Sequence, residues 1–166
     1  MDVYGNIFKT AFGWAAVVFN GDGAVLKFFL PTGKTDAENF IFINGLRKRK
    51  PLLQVETKVK KYFDGKRVNF EDTVVCIYKG TVFEGLIYKK LREVPYGGVI
   101  SYSRLAGKAG SPRGARAAGQ VVAKNQLPLI VPCHRVIRSS GALGKKFSAG
   151  GGLDLKRKML ELEGSF

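Results

Sequence analysis

The sequence predicts two lobes: an α/β N-terminal lobe with a small antiparallel sheet and helices, then a mainly α C-terminal lobe with a winged-helix-like helix-turn-helix. Three features predict this class. Two β-rich runs near the start flank a turn-forming stretch, helical spacing of apolar residues begins after Gly80, and a glycine-serine-proline join separates two short helical segments. The 166 residues are enough for two small lobes. We expect them over residues 1–79 and 80–166.

The N-terminal lobe is predicted to contain strands with a tight turn between them. WAAVVF (14–19) and AVLKFFL (24–30) are rich in β-branched and aromatic residues. Asn20-Gly21-Asp22-Gly23 lies between them, and because Asn and Gly accept positive φ it predicts a hairpin turn. Val74–Tyr78 is typical of a further buried strand, in which Cys76 would fill the core.

Two helices are predicted between these strands. Thr35 and Glu38 have the spacing of a capping box, which predicts a short helix that begins there and ends near Asn44. A second helix is expected from Leu52 to Phe63, before a glycine-containing turn.

The C-terminal lobe is predicted to be mainly helical. Its first helix carries one buried face at helical spacing, formed by Phe83, Leu86, Ile87, Leu91 and Val94. Ser101 is a predicted N-cap for a helix from Tyr102 to about Lys108. Amphipathic spacing predicts a last helix over Leu153–Glu163.

A second short helix follows the join at Gly110-Ser111-Pro112, where glycine ends one helix, serine caps the next and proline takes its first turn. The predicted helix, Pro112 to about Lys124, is poor in bulky side chains and carries Arg113 and Arg116 near its start. A thin helix surface permits close approach either to another helix or to a nucleic-acid groove. The charge of the chain favours the groove.

The chain is strongly basic, with 28 Lys and Arg against 13 Asp and Glu and a formal net charge of +15. Such an imbalance predicts a polyanionic partner, and nucleic acid is the first candidate; a generally basic proteome is the alternative. The densest run, Arg47–Lys50, is interpreted as a solvated turn or an auxiliary phosphate contact.

Other function classes are excluded or disfavoured by composition. We find no run of about 18 apolar residues and no signal-peptide pattern, so a membrane role is not expected. Two cysteines do not make a disulfide framework, which favours a reducing, cytoplasmic setting. One histidine and two distant cysteines are too few for a zinc site, so we expect no metal.

The stretch VPCHRVI, residues 131–137, holds the only histidine, His134, directly after Cys133. A thiol needs a nearby base or positive charge to become a nucleophile. Neighbours on a strand point to opposite faces, so the pair can cooperate only if the chain turns there or a water connects them. Pro132 makes such a break in regular structure plausible. The residues alone leave two readings, an inert core thiol or a buried nucleophile with its base.

This stretch resembles the active-site signature of the O6-alkylguanine-DNA alkyltransferases. The similarity runs from about Gly80 to Gly164 and only loosely includes the first lobe. It is carried, in family order and spacing, by Val99-Ile100-Ser101-Tyr102, Ser111-Pro112-Arg113, Ala115-Arg116-Ala117, Asn125, Pro132-Cys133-His134-Arg135, Ser139-Ser140-Gly141 and Leu160-Glu161-Leu162-Glu163-Gly164. The resemblance implies a protein that binds duplex DNA as a monomer, flips out an O6-alkylated guanine and transfers the alkyl group to cysteine once, without a cofactor.

The resemblance also implies roles for single residues. Cys133 would accept the alkyl group, and His134 would act as its base through a bridging water. Glu163 would orient the imidazole, Asn125 would support the hydrogen-bond network, and Tyr102 would donate a proton to guanine N3.

Further residues are implied for DNA and for the substrate pocket. Arg116 would fill the gap left by the flipped base, as an arginine finger on a helix in the minor groove. The other DNA-binding residues implied are Ser111, Arg113, Ala115, Gly119 and Arg135. Val136, Ser148 and Lys156 would line the substrate pocket, although Phe147 stands where the family has a tyrosine and the loop around it is longer.

Two other classes of protein fit parts of the sequence. A non-catalytic helix-turn-helix module that binds DNA or senses damage would need an inert thiol inside the intact motif. A Cys-His hydrolase would share the nucleophile but would have no use for the arginine helix. By the resemblance the protein acts in the cytoplasm, associated with the nucleoid, or in the nucleus of a eukaryote.

Overall fold

The computed structural model describes residues 2–44, 46, 51–77, 80–144, 147 and 152–166. The chain divides into two compact units, Met1–Cys76 and Ile77–Phe166. The basic run at 47–50 lies outside the described residues.

The first unit is built on a three-stranded antiparallel sheet in the order β1-β2-β3. Its strands are β1 (Val3–Thr10), β2 (Gly13–Asn20) and β3 (Val25–Thr32), followed by α1 (Lys34–Ile43) and α2 (Leu53–Phe63). Ala16 and Val18 of β2 pack against Ala37 and Ile41 of α1 and form one hydrophobic core cluster of this unit. The sheet class is therefore as predicted, with one additional strand.

The turn between β2 and β3 forms where Asn20 predicted it. Its side-chain Oδ1 accepts hydrogen bonds from the backbone N–H groups of Asp22, at 3.1 Å, and Ala24, at 2.9 Å. An Asn side chain that bonds backbone two and four residues on closes the loop locally, which is why this residue type favours turns.

Two expectations for this unit are wrong. Thr35 does not cap α1: the N-cap is Gly33, without a side-chain hydrogen bond, and Thr35 lies inside the helix. The segment at 74–77 is no buried strand. It forms a single parallel bridge, from Val75 to Val25, and both Val74 and Cys76 are exposed. An apolar run of five residues is too short to distinguish a core strand from an edge segment.

The described residues of the second unit form four α-helices and a short parallel pair of strands. The helices are α3 (Val82–Arg92), α4 (Tyr102–Lys108), α5 (Ala115–Ala123) and α6 (Gly152–Leu162). The strands are β4 (Ile100–Ser101) and β5 (Val136–Ile137), and a 3₁₀ turn at Cys133–Arg135 directly precedes β5. Among the described residues, no helix is long and apolar enough to cross a membrane.

The helix boundaries follow from local capping. Ser101 caps α4 as predicted, since its hydroxyl accepts from Arg104 N–H. Gly110 ends α4 at φ 82°, and Ser111 N–H bonds Ala106 C=O at 2.9 Å, the pattern of a Schellman motif. An unpredicted capping box, in which Thr81 and Glu84 bond each other's backbone N–H, begins α3.

The second helix of the helix-turn-helix begins later than predicted. Ser111–Gly114 form a turn, closed by Gly114 N–H donating to Ser111 C=O at 2.8 Å, and α5 starts at Ala115. Ser111 therefore does not cap α5, whose N-cap is Gly114. Proline suits the second position of a turn as well as the first turn of a helix, so the sequence could not separate the two.

Candidate active site

The VPCHRVI stretch turns at the two residues of interest. Pro132 lies outside any helix or strand, and Cys133–Arg135 form a single 3₁₀ turn. This turn is almost fully buried, since Cys133 is 2% exposed and His134 is 0% exposed. Consecutive residues of such a turn point in directions about 120° apart, so the thiol and the imidazole no longer face opposite ways as on a strand. The expected break at this motif is confirmed.

Glu163, one residue beyond α6, brings the far end of the chain to this turn. His134 Nε2 lies 2.7 Å from Glu163 Oε1, and both side chains are fully buried. A carboxylate at the end of a helix meets the negative end of the helix dipole, so its place there needs compensation from other groups.

Four N–H donors of the described residues supply that compensation. Besides His134, Arg135 donates to Glu163 through Nε, at 2.9 Å, and through Nη2, at 3.0 Å. The backbone N–H of Gly97 donates to Oε2 at 3.1 Å. Burial acts to raise the pKa of Glu163, but the hydrogen bonds and charges of His134 and Arg135 outweigh it and bring the pKa to about 2.

The ionised carboxylate fixes the tautomer of the base. Glu163 can only accept hydrogen bonds, so His134 Nε2 must carry the proton that it donates. Burial lowers the pKa of His134, which keeps the ring neutral, and a neutral imidazole protonated at Nε2 has its lone pair on Nδ1. Nδ1 is fully buried. The arrangement thus provides a buried basic nitrogen on the side of the ring away from Glu163.

Cys133 is a protonated thiol at neutral pH. Burial raises its pKa to about 11, while a hydrogen bond from Asn125 and the positive charge of Lys156 act in the opposite direction. Asn125 is itself held by the chain next to the motif, since its Nδ2 donates to Val131 C=O at 2.8 Å and its Oδ1 accepts from Leu127 N–H at 3.0 Å. Formation of a thiolate here requires a base to take the proton.

A buried lysine ties the wall of the site together. Lys156 is 1% exposed, and its Nζ donates to the carbonyls of Val136, at 2.6 Å, and Leu143, at 2.8 Å. Burial lowers its pKa to about 8. Two carbonyl bonds hold the ammonium group and thereby connect β5 to the loop that follows it.

Tyr102 stands at the start of α4 beside two glycines. A Cβ on Gly119 would contact its ring at 3.7 Å, and a Cβ on Gly144 would lie 3.5 Å from its hydroxyl. Burial raises the pKa of Tyr102, with a smaller contribution from Cys133, so the phenol keeps its proton at neutral pH. A neutral phenol is a hydrogen-bond and proton donor.

The comparisons with known proteins agree with this geometry. A family model described as the DNA-binding domain of 6-O-methylguanine DNA methyltransferase matches residues 82–165, about half of the chain. The chain belongs to the 6-O-methylguanine DNA methyltransferase family.

Similar proteins occur in both bacteria and archaea. A methylated-DNA–protein-cysteine methyltransferase of Mycobacterium tuberculosis is 42% identical over 108 residues, 65% of this chain and 62% of the relative. One of Methanosarcina acetivorans is 38% identical over 112 residues, 68% of this chain and 69% of the relative. The match to the mycobacterial protein thus spans less than two thirds of that protein's length.

Solved structures of the methyltransferase family share the whole fold. The O6-methylguanine methyltransferase of Mycobacterium tuberculosis has a TM-score of 0.79 at 28% identity and covers 99% of this chain and 94% of its own. A structure of the Mycobacterium tuberculosis protein in complex with DNA has a TM-score of 0.77 at 27% identity, with 98% and 93% covered.

The expected DNA-binding residues of this methyltransferase-family chain do not all lie on one surface. Arg113 and Arg116 are exposed, Ser111, Ala115 and Gly119 are partly exposed, and Ala118, Val121 and Val122 form the buried face of α5. Arg135 corrects the expectation: it is 7% exposed, bonds Glu163, and donates from Nη1 to Val94 C=O at 2.7 Å. It belongs to the interior network and is not placed to contact DNA.

The structure describes two of the three residues that were expected to line the substrate pocket. Ser148 lies outside the described residues, while Val136 and Lys156 are buried together.

Sequence reasoning missed Gly97. This residue has a φ of 77°, and a Cβ added to it would lie 3.1 Å from the backbone carbonyl oxygen of Glu163. Gly97 lies in the turn Pro95–Gly98, and only the tertiary structure shows that its N–H donates to the Glu163 carboxylate. No group of three or more possible metal ligands occurs among the described residues.

Replacing Glu163 with Gln should lower the free energy of unfolding at pH 7 by about 3–5 kcal/mol, because the buried Arg135 loses its anion. The folded pKa of Glu163, about 2, is below its ordinary 4.5. The carboxylate therefore stabilises the fold fully above pH 4.5 and progressively less as the pH falls toward 2. Urea unfolding at pH 7 and pH 3 should show the gap between wild type and variant narrowing.

Glu161→Gln is the control, since Glu161 is exposed on the same helix and should change stability by less than about 0.5 kcal/mol. A gap between wild type and Glu163→Gln that stays constant from pH 7 to pH 3 would contradict this account.

Proposed function

We propose that the protein repairs duplex DNA by moving the alkyl group of an O6-alkylguanine onto the sulfur of Cys133, once per chain. The observation that carries this proposal is the juxtaposition, in one buried 3₁₀ turn, of a protonated thiol and an imidazole whose tautomer is fixed by Glu163. The similar proteins of Mycobacterium tuberculosis and Methanosarcina acetivorans are methylated-DNA–protein-cysteine methyltransferases, which supports the proposal.

The proposed reaction is a displacement at carbon. The thiol proton passes through a bridging water to His134 Nδ1, and the thiolate attacks the alkyl carbon. The S–C bond forms as the C–O6 bond breaks, and its electron pair stays on guanine. Tyr102 donates its phenol proton to N3 as O6 is released. The proton held by His134 then passes through solvent to the Tyr102 phenolate, which restores neutral His134 and Tyr102, so that overall one proton moves from the thiol to guanine. Glu163 stabilises the imidazolium that forms for a moment.

Single use follows from the product. The alkylated Cys133 is a thioether, which lacks the acyl or phosphoryl centre that water attacks in covalent intermediates that turn over. The steps above use only side chains of this protein, and we propose that no cofactor takes part.

Duplex DNA is the proposed partner, bound by α5. The excess of positive charge lies mostly in the second unit, which holds 16 of the 28 Lys and Arg but only 5 of the 13 Asp and Glu. At the start of α5, the exposed Arg116 lies between Ala115 and Ala117. Because these neighbours are small, this end of the helix could approach a minor groove that is only about 6 Å wide. Arg116 would occupy the space in the stack that the flipped guanine leaves.

The remaining parts of the proposal concern organisation and place. We propose that residues 80–166 carry DNA binding and alkyl transfer and that residues 1–79 form a separate α/β lobe. The protein would act as a monomer in the cytoplasm, on nucleoid DNA, or in the nucleus of a eukaryote.

Incubation with a duplex that contains one O6-methylguanine should raise the intact mass of the protein by one methyl group per chain. Cys133→Ala should show no increase, because it lacks the acceptor, whereas Cys76→Ala should react like the wild type. Intact-protein mass spectrometry measures both. Tight binding to the duplex without a mass change would show a non-catalytic damage-sensing module, and repeated turnover would show a hydrolase.

Replacing Arg116 with Ala should slow methyl transfer from the duplex by at least about tenfold, because flipping costs a few kcal/mol that the inserted side chain helps to offset. Transfer from free O6-methylguanine base should be unchanged. Arg157→Ala, which removes an exposed arginine from α6, is the matched control and should leave both rates unchanged. Equal losses on duplex and free base would contradict an inserted Arg116.

A further inference from the structure

The interior arginine next to the base has no part in the reaction as proposed above. Arg135 follows His134 directly, is 7% exposed, and binds the same carboxylate. Its Nη2 donates to Oε1 of Glu163, the oxygen that His134 Nε2 also meets, while its Nε donates to Oε2. Its Nη1 is anchored on Val94 C=O. The guanidinium is therefore fixed in place, in contact with the partner of the base.

Glu163 carries one negative charge, and Arg135 and a protonated His134 would both depend on it for neutralisation. With a neutral imidazole, Glu163 and Arg135 form a neutral buried pair. A proton on His134 would add a net positive charge to that interior, where Lys156 is already present. If Arg135 were neutral, a protonated His134 would instead form a neutral pair with Glu163. Like charge nearby disfavours the charged form of a group, and opposite charge favours it.

The groups that face His134 act in both directions. Burial and the charges of Arg135 and Lys156 lower the pKa of the imidazole, and Glu163 raises it. The hydrogen-bond geometry explains the balance, since Glu163 is already neutralised by two N–H bonds from one guanidinium.

We propose that Arg135 is a positioning residue that sets the protonation state of the base: by occupying Glu163 it keeps His134 neutral, with the Nδ1 lone pair available to the Cys133 thiol. A histidine paired with a buried carboxylate alone would gain a proton too readily. It would be an imidazolium before substrate arrives, with no lone pair for the thiol proton. Arg135 makes His134 a weaker base that takes the proton during the transfer and then releases it.

The single histidine of the chain makes this directly measurable. An NMR titration of the His134 ring signals in the DNA-free protein should give a midpoint below the ordinary 6.5. In Arg135→Gln the midpoint should rise by at least about one pH unit, which is a tenfold gain in proton affinity, because the like charge of Arg135 is gone. Arg135→Lys keeps the charge and should stay near the wild type. Arg157→Gln, an exposed arginine of α6, should leave the midpoint unchanged.

The outcomes separate tuning from a purely structural role. A wild-type midpoint at or above 6.5, an unmoved midpoint in Arg135→Gln, or an equal rise in Arg135→Lys would each overturn the proposal. If Arg135→Gln does not fold, a wild-type midpoint at or above 6.5, or a raised midpoint in Arg135→Lys, still overturns the proposal. As the pH is lowered, the rate of methyl transfer should begin to fall at a higher pH in Arg135→Gln than in the wild type.

This inference rests on the proposed function only for its consequence, because the titration requires neither DNA nor methyl transfer. A protein that shows the shift in midpoint but gains no methyl group would refute the proposed function and leave the tuning intact. Methyl transfer with an unmoved midpoint would do the reverse.

Discussion

The carboxylate of Glu163 is the group on which the second unit depends. It lies one residue beyond the last helix, yet it binds the 3₁₀ turn through His134 and Arg135 and the turn before β4 through Gly97. A buried charge is tolerated only where it is paired and hydrogen-bonded, so these segments can be in place only together. Tyr96, whose hydroxyl donates to Leu162 C=O at 3.0 Å, strengthens the same junction. Folding of the unit and assembly of the base are therefore one event.

The same burial keeps both Cys133 and His134 neutral in the DNA-free protein. A dry environment disfavours the thiolate of Cys133 and the imidazolium of His134 alike, so the resting pair is neutral on both sides. This would benefit the single-use alkyl acceptor that we propose, because an exposed thiolate would react with other electrophiles. The Asn125 hydrogen bond and the Lys156 charge lower the cost of the thiolate without removing it. In the reaction that we propose, the flipped guanine comes to Cys133, and one proton transfer to His134 creates the thiolate beside the alkyl carbon.

Patterns with a local physical cause were predictable from the sequence. Ser101 and Gly110 mark the ends of α4 because capping and left-handed backbone depend on a few neighbouring residues. The strand β1 was missed, since Gly5 and Asn6 dilute its β-rich pattern and its partners lie on β2. Arg135 was assigned to DNA by the resemblance, and no local pattern in the sequence distinguishes a buried arginine from an exposed one. Its partners, Val94 and Glu163, are far away in the chain, and only tertiary structure brings them together.

The central claim is that Cys133 rests as a neutral thiol and becomes a nucleophile only through the base that Glu163 holds. Its direct measurement is the ionisation of that one thiol, in DNA-free Cys76→Ser protein labelled with ¹³C at the cysteine Cβ and followed by NMR as the pH rises. We predict a protonated thiol throughout the neutral range and a midpoint near pH 11. A thiolate at pH 7, with a midpoint below the ordinary 9.0, would contradict the account.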